Sequence, residues 1–231
     1  MIDLRDVALQ TACPLVAAPR FGVLPDMPKG QRVIMAANGV FVQIKLDWLD
    51  CVQRLMPSVP GMPLPYGQVH ERIAFSFGVL PIRLIEAFVK QGRWGLPDEV
   101  AGALIYSRST RSLRLEMCEA VRSSPAHIDY RMPALADDET VAVDLHTHGQ
   151  GAPFWSDDDN RDDQGIKVAG VFGYLHHDQP RAEFRLVLNG MYRALPHPWQ
   201  ATERVAQDHR EEALETGVLR KILSLLHRAR T

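Results

Sequence analysis

Cysteine is scarce in this 231-residue chain: Cys13, Cys51 and Cys118 are odd in number and far apart. They supply neither a disulfide framework nor a Cys-x-x-Cys zinc site, which suits a reducing compartment. No charge of one sign dominates, since 26 Lys and Arg stand against 28 Asp and Glu for a formal net charge of -2. No basic patch is interleaved with aromatics, so nucleic acid is not an expected partner. The opening Met1-Ile2-Asp3-Leu4-Arg5 places an acid early and lacks a basic segment leading into a long apolar stretch. Neither secretion nor membrane insertion is indicated, and a cytoplasmic location is expected. The chain has no internal repeat and no low-complexity tract.

What the chain does have is enough apolar content, 46% of its residues, to bury one good core and carry an appendage. Its most informative stretch is His146-Thr147-His148, followed by a glycine-containing loop to Ser156 and an acidic run from Asp157 to Asp163. Val141-Ala142-Val143-Asp144-Leu145 ahead of it is β-branched and alternating, so the histidines are expected to end a strand. Side chains two apart on a strand share a face. His146 and His148 therefore point together into one pocket, while Val141, Val143 and Leu145 face a core. Two imidazoles and one carboxylate fill three positions of a tetrahedral zinc and leave the fourth for water, the arrangement of a catalytic site.

Asp159 is the natural third ligand, with the neighbouring aspartates as the alternatives to it. Ser156-x-x-Asp159 also reads as a capping box, and acidic residues suit a helix N-terminus. Both readings hold together if a short helix capped at Ser156 carries Asp159 toward the strand end. Asp157, Asp158, Asp162 and Asp163 then read as solvated charges at the helix start, and Asp144 as a solvated or salt-bridged acid on the histidines' face.

This spacing resembles the JAMM signature of the MPN-plus metalloproteases, the JAB domains, in which His-x-His is followed by Ser and Asp at these offsets. The family also carries an upstream glutamate in a Pro-x-Glu-x-x-Gly frame on a strand that follows a helix. Here Pro97-Asp98-Glu99-Val100-Ala101-Gly102 matches that frame, and Ile82 to Val89 ahead of it has helical apolar spacing. Two positions depart from the family pattern: Gly149 stands where a proline usually follows the second histidine, and Ala101 where a cysteine is common. Neither supplies a ligand. Only one of Asp98 and Glu99 can face the pocket, because adjacent strand residues alternate, and the resemblance picks Glu99 as general base. It likewise implies that Ser156 donates a hydrogen bond to the oxyanion of the tetrahedral intermediate.

The resemblance implies an α/β fold, a mixed, curved sheet flanked by helices, over roughly the middle of the chain. The Asn38-Gly39 pair between Arg32-Val33-Ile34-Met35 and Val40-Phe41-Val42-Gln43-Ile44 predicts a hairpin. An amphipathic segment follows at Leu46 to Leu55. Pro57 to Pro65 reads as a stiff linker or extended loop, which divides the chain into an N-terminal extension at 1–65, a metalloprotease-like domain at 66–196 and a C-terminal helical segment at 197–231. Strands are expected at Ala101 to Ser107, Leu113 to Val121, Val141 to His148, Lys167 to Leu175 and Phe184 to Leu188. The C-terminal segment carries an apolar stripe of Leu219, Ile222, Leu223 and Leu226. His176-His177-Asp178 ahead of Pro180 reads as an exposed turn rather than a second metal site. Trp155 reads either as the border of a substrate groove or as an aromatic that anchors the loop.

In layout the chain is similar to the JAB proteins of PRTRC plasmid-borne cassettes, which pair such a protein with a ThiF-like activating enzyme and a small ubiquitin-like protein. The activity implied is hydrolysis of a peptide or isopeptide bond near a ubiquitin-like C-terminus. A small-molecule amidase with the same zinc machinery and a non-catalytic MPN scaffold are the two alternatives. The scaffold reading ranks low because no ligand position and no glutamate has been lost.

Overall fold

The computed structural model describes residues 3–61 and 64–196. The expected C-terminal helix and its leucine stripe lie outside the described residues. The chain divides into two compact units, one of described residues up to Val79 with Tyr106–Leu113 and Leu135–Thr140, the other of Leu80–Ile105, Arg114–Ala134 and the described residues from Val141 on.

The first unit begins with α1 (Leu4–Ala12), a helix that buries none of its side chains. A five-stranded sheet follows, in the order β1 (Leu15–Ala17), β2 (Gly30–Ala36), β3 (Gly39–Lys45), β4 (Leu49–Pro57), β5 (Arg72–Phe75). The expected hairpin is β2–β3, antiparallel, with Ala36 opposite Gly39 across the turn. Ile34, Ala36, Phe41 and Val52 form one buried cluster with Ala18. From Leu49 on, the amphipathic segment is strand β4. Because β5 pairs with β4, the boundary expected at residue 65 lies inside this unit, in the loop between those two strands.

The second unit is organised on a six-stranded sheet, order β13-β12-β11-β10-β6-β7. Its strands are β6 (Ala101–Ser107), β7 (Ser112–Met117), β10 (Glu139–Thr147), β11 (Ile166–Gly173), β12 (Arg181–Leu188) and β13 (Met191–Leu195). The single strand expected from Leu113 to Val121 is broken at Cys118. Beyond it β8 (Glu119–Ser124) forms a separate hairpin with β9 (His127–Arg131). His127-Ile128-Asp129-Tyr130-Arg131 has too few apolar residues to announce a strand.

β10 and β11 run parallel, with His146 opposite Val171. A parallel pair cannot be closed by a tight turn and needs a crossover. That crossover carries the loop from His148 and the short helix α3 (Asp157–Asp162). Successive residues alternate between the faces of β10, β11 and β12. One face presents Val143, Leu145, Phe172, Phe184 and Leu186, all buried. Helix α2 (Ile82–Gly95) sets its buried residues Ile85, Phe88 and Gly92 toward this side, with the Phe88 and Phe172 rings edge-on at 5.3 Å. Each such buried side chain stabilises the unit by about 1.5–3 kcal/mol. Leu96-Pro97 follows α2, and proline cannot continue a helix. The opposite face carries the polar residues Asp144, His146, Lys167 and Arg185 among buried Ala142, Ala169, Val171 and Val187.

Candidate metal centre

His146 and His148 end β10 on this face, as the alternation predicted. Their Nε2 atoms lie 3.3 Å apart. Asp159, in the first turn of α3, brings Oδ1 to 3.1 Å from the His146 Nε2 and Oδ2 to 3.9 Å from the His148 Nε2. Donors at about 2.0–2.2 Å from a tetrahedral ion stand roughly 3.3–3.6 Å from one another. The three separations, 3.3, 3.1 and 3.9 Å, fall on either side of that range, and two imidazole lone pairs aimed at one point would repel without a cation or proton between them. His146, His148 and Asp159 form a group that could hold a metal ion.

Each donor is oriented by its neighbours. The Nδ1 of His148 lies 3.2 Å from the Ala152 carbonyl. A proton donated there leaves Nε2 as the ligand atom. Burial, and then the adjacent His146, lower the His148 pKa, so the imidazole is neutral near pH 7 and available to a metal. Asp159 closes the capping box expected from the sequence: its Oδ2 accepts from the Ser156 N–H and hydroxyl, both at 2.7 Å, while its own N–H donates to Ser156 Oγ at 3.1 Å. That leaves Oδ1, the oxygen beside His146, without a hydrogen bond from Ser156. Burial opposes ionisation of Asp159, but the His146 and Ser156 contacts outweigh it and hold the carboxyl well below the usual range.

Glu99 lines the same cavity, of about 230 Å³, with the two histidines, Ser156 and Asp159. It precedes β6 and is held from both sides. Its N–H donates to the Ser124 carbonyl at 3.0 Å, its carbonyl accepts from the Ser123 hydroxyl at 2.6 Å, and the next residue, Val100, exchanges bonds with Thr147. Thr147, fully buried between the two histidines, thus ties the glutamate segment to the ligand strand. Nothing in the sequence marks it for that role. Burial pushes the Glu99 carboxyl up to about 7, with His146 pulling the other way. Asp98 is half-buried and is not among the residues lining this cavity.

The loop between the histidines and Ser156 is pinned rather than adjustable. Gly149 has φ 51°, which proline cannot adopt with its φ near −65°. The departure from the family pattern at this position is therefore a different chain path. A Cβ on Gly173 of β11 would sit 2.4 Å from the Gly151 carbonyl oxygen and 2.4 Å from the Pro153 nitrogen, so only glycine lets the two backbones touch. Tyr174 N–H donates to Gly151 at 2.7 Å and Leu175 N–H to Gly149 at 3.0 Å. Phe154 stands edge-on to His148 at 4.6 Å and lines the cavity, a role that the sequence reading gave to Trp155 as one of two possibilities. Trp155 is half-buried and anchors the loop. Asp144 is salt-bridged to Lys167 at 2.7 Å, and His176-His177-Asp178 is an exposed turn.

Removing the cap tests how Asp159 is oriented. Ser156→Ala is expected to cost about 1 kcal/mol of stability and to weaken metal binding about 10-fold, because Asp159 loses one of its two anchors. Titration calorimetry with a divalent metal checks it; unchanged affinity would mean that the Ser156 N–H alone is enough.

Comparison with known proteins places this geometry. Residues 81–187 match the model of the prokaryotic homologs of the JAB domain, and residues 3–76 match a domain of unknown function, DUF2016. No curated protein matches the chain. Among solved structures it is similar to the solution structure of protein DSY2949 from Desulfitobacterium hafniense, at 15% identity and a TM-score of 0.39, over 49% of this chain and 86% of that one. No helix among the described residues is long and apolar enough to cross a membrane. The mixed α/β unit that brings two strand-end histidines to an aspartate on a crossover helix is, over residues 81–187, similar to the prokaryotic homologs of the JAB domain.

Proposed function

We propose that this chain is a zinc-dependent peptidase or isopeptidase that cuts near the C-terminus of a ubiquitin-like protein. The observation that carries the reading is the convergence of Glu99, Ser156 and the three-donor group on one cavity. A zinc ion held by His146, His148 and Asp159 would supply Lewis acidity, lowering the pKa of a water and polarising the scissile carbonyl. Glu99 does the proton work. Burial raises the pKa of this carboxyl, which strengthens it as a base that takes a proton and returns it to the leaving amine. Ser156 serves as the oxyanion donor once its hydroxyl turns from Asp159 toward the substrate.

The cavity's small volume supports an extended segment as substrate, since a folded domain cannot enter it. Pro125, Ala126, His127 and Ile128 at the β8–β9 turn form one wall, and Phe154 and Asp158 stand among its other lining residues. A small residue, glycine in a ubiquitin-like tail, lets the backbone approach the metal site, and pairing along an exposed strand edge adds affinity without demanding a sequence. A ThiF-like activating enzyme is the further partner consistent with this substrate.

The test is to incubate the protein with a ubiquitin-like protein fused through its tail to a reporter, and to map the cut by mass spectrometry. Cleavage after the tail glycine that stops with a chelator and returns with zinc is expected. Turnover confined to small amides, with the fusion untouched, would favour the amidase instead.

A further inference from the structure

Helix α3 is not supported by its own sequence. Asp157-Asp158-Asp159-Asn160-Arg161-Asp162 is rich in poor helix formers, a single short helix of this length does not hold itself in water, and none of its residues is buried. The capping box secures only the first turn. What holds the remainder comes from the sheet beneath it: Lys167 of β11 reaches Asp163 Oδ1 at 2.9 Å, and Arg185 of β12 makes the larger set of contacts.

Asp144, Ala169, Arg185 and Ala194 lie side by side across β10, β11, β12 and β13. The alanines on either side of Arg185 leave room for its guanidinium, which is buried between the Trp155 ring at 3.9 Å and the Tyr192 ring at 4.1 Å. Its Nε and Nη2 donate to Asp163 Oδ2 at 2.9 and 2.6 Å, its Nη1 to Asn160 Oδ1 at 2.7 Å, and its Nη2 to the Asp159 carbonyl at 3.4 Å. The Tyr192 hydroxyl donates to the Asn160 carbonyl at 2.7 Å. An ion pair with Asp163 alone would need one edge of the guanidinium. Arg185 instead reaches the middle and the end of α3 and stacks on the residue before its cap. A planar fork that also stacks on aromatic rings is particular to arginine.

We propose that Arg185 is a positioning residue for the metal centre: it fixes α3 on the sheet so that Asp159 meets the two histidines. This rests on the metal reading above. Lysine in its place keeps a positive charge beside Asp163 but cannot make the fork or stack as a plane.

The experiment is a Co(II) titration of wild type and Arg185→Lys, following the visible d–d bands, with circular dichroism and thermal melting in parallel. Arg185→Lys is expected to stay folded, to bind Co(II) about 10–100-fold more weakly, and to lose the intense tetrahedral bands. If Arg185→Lys does not fold, Asn160→Ala replaces it, since that variant removes one partner of Arg185 and leaves the pair with Asp163. It should show weaker binding with the same spectral change. A folded variant that melts lower but binds Co(II) with wild-type affinity and spectrum would reduce Arg185 to a structural ion pair and overturn the proposal. Wild type that binds no Co(II) is a separate result, and overturns the metal reading together with this one.

Discussion

Glu99→Gln should abolish nearly all hydrolysis, by about 10²–10⁴-fold, because it keeps the shape of the side chain and removes the base. Metal content should be unchanged, since Glu99 is not one of the three donors. The metal-free variant should also be more stable than wild type at pH 8. Burial raises the Glu99 pKa from 4.5 to about 7 in the folded state, so between those values the folded chain holds a proton that the unfolded chain has released. The penalty develops as pH rises above 4.5 and is complete above about 7; glutamine never incurs it. A gain of about 1–3 kcal/mol at pH 8, fading toward pH 4, is expected in urea unfolding. Asp98→Asn, by contrast, should be mild in both assays. If Asp98→Asn were the inactive variant, the assignment of the base would be off by one residue.

His148→Ala should remove the metal. Wild type purified without chelator should carry about one zinc per chain and the variant close to none, because losing one of three protein donors leaves too few for a tetrahedral site. Elemental analysis of the two proteins decides this, and hydrolysis should vanish in parallel. Equal zinc in both, or none in wild type, would overturn the assignment of the centre. The fold should survive the change, since the apolar packing against α2 lies on the other face of β10.

The candidate site was legible in the sequence because it is written in residue types that metal chemistry requires at close spacing. His146, His148, Ser156 and Asp159 fall within one crossover, and strand alternation and helix capping are local rules that place their side chains without tertiary information. Glu99 was readable only through its family frame, because it lies far along the chain from the histidines and reaches them through the pairing of Val100 with Thr147. Thr147 and Arg185 were missed for different reasons. A threonine between two histidines carries no signal of its own. Arg185 did carry one, a cation inside Phe184-Arg185-Leu186-Val187-Leu188, but its partners are distant in sequence. In the fold, β2–β3 and α2 followed from turn chemistry and helical spacing, whereas β9 and β13 are only five residues long and are recognisable by their pairing with β8 and β12. The extension at residue 65 was cut too early for the same reason, since β5 is recognisable only by its pairing to β4.

The two faces of the β10–β11–β12 sheet divide labour in a way that bears on how such a chain can change. One side packs against α2, and the candidate metal donors stand on the side that meets α3. Substitutions at His146, His148 or Glu99 therefore leave the packing against α2 in place. A descendant that lost its donors one by one would pass through folded, catalytically silent intermediates, still presenting the same cavity wall and strand edges. Under the proposed function, retirement from catalysis into pure recognition is then a short walk in sequence space.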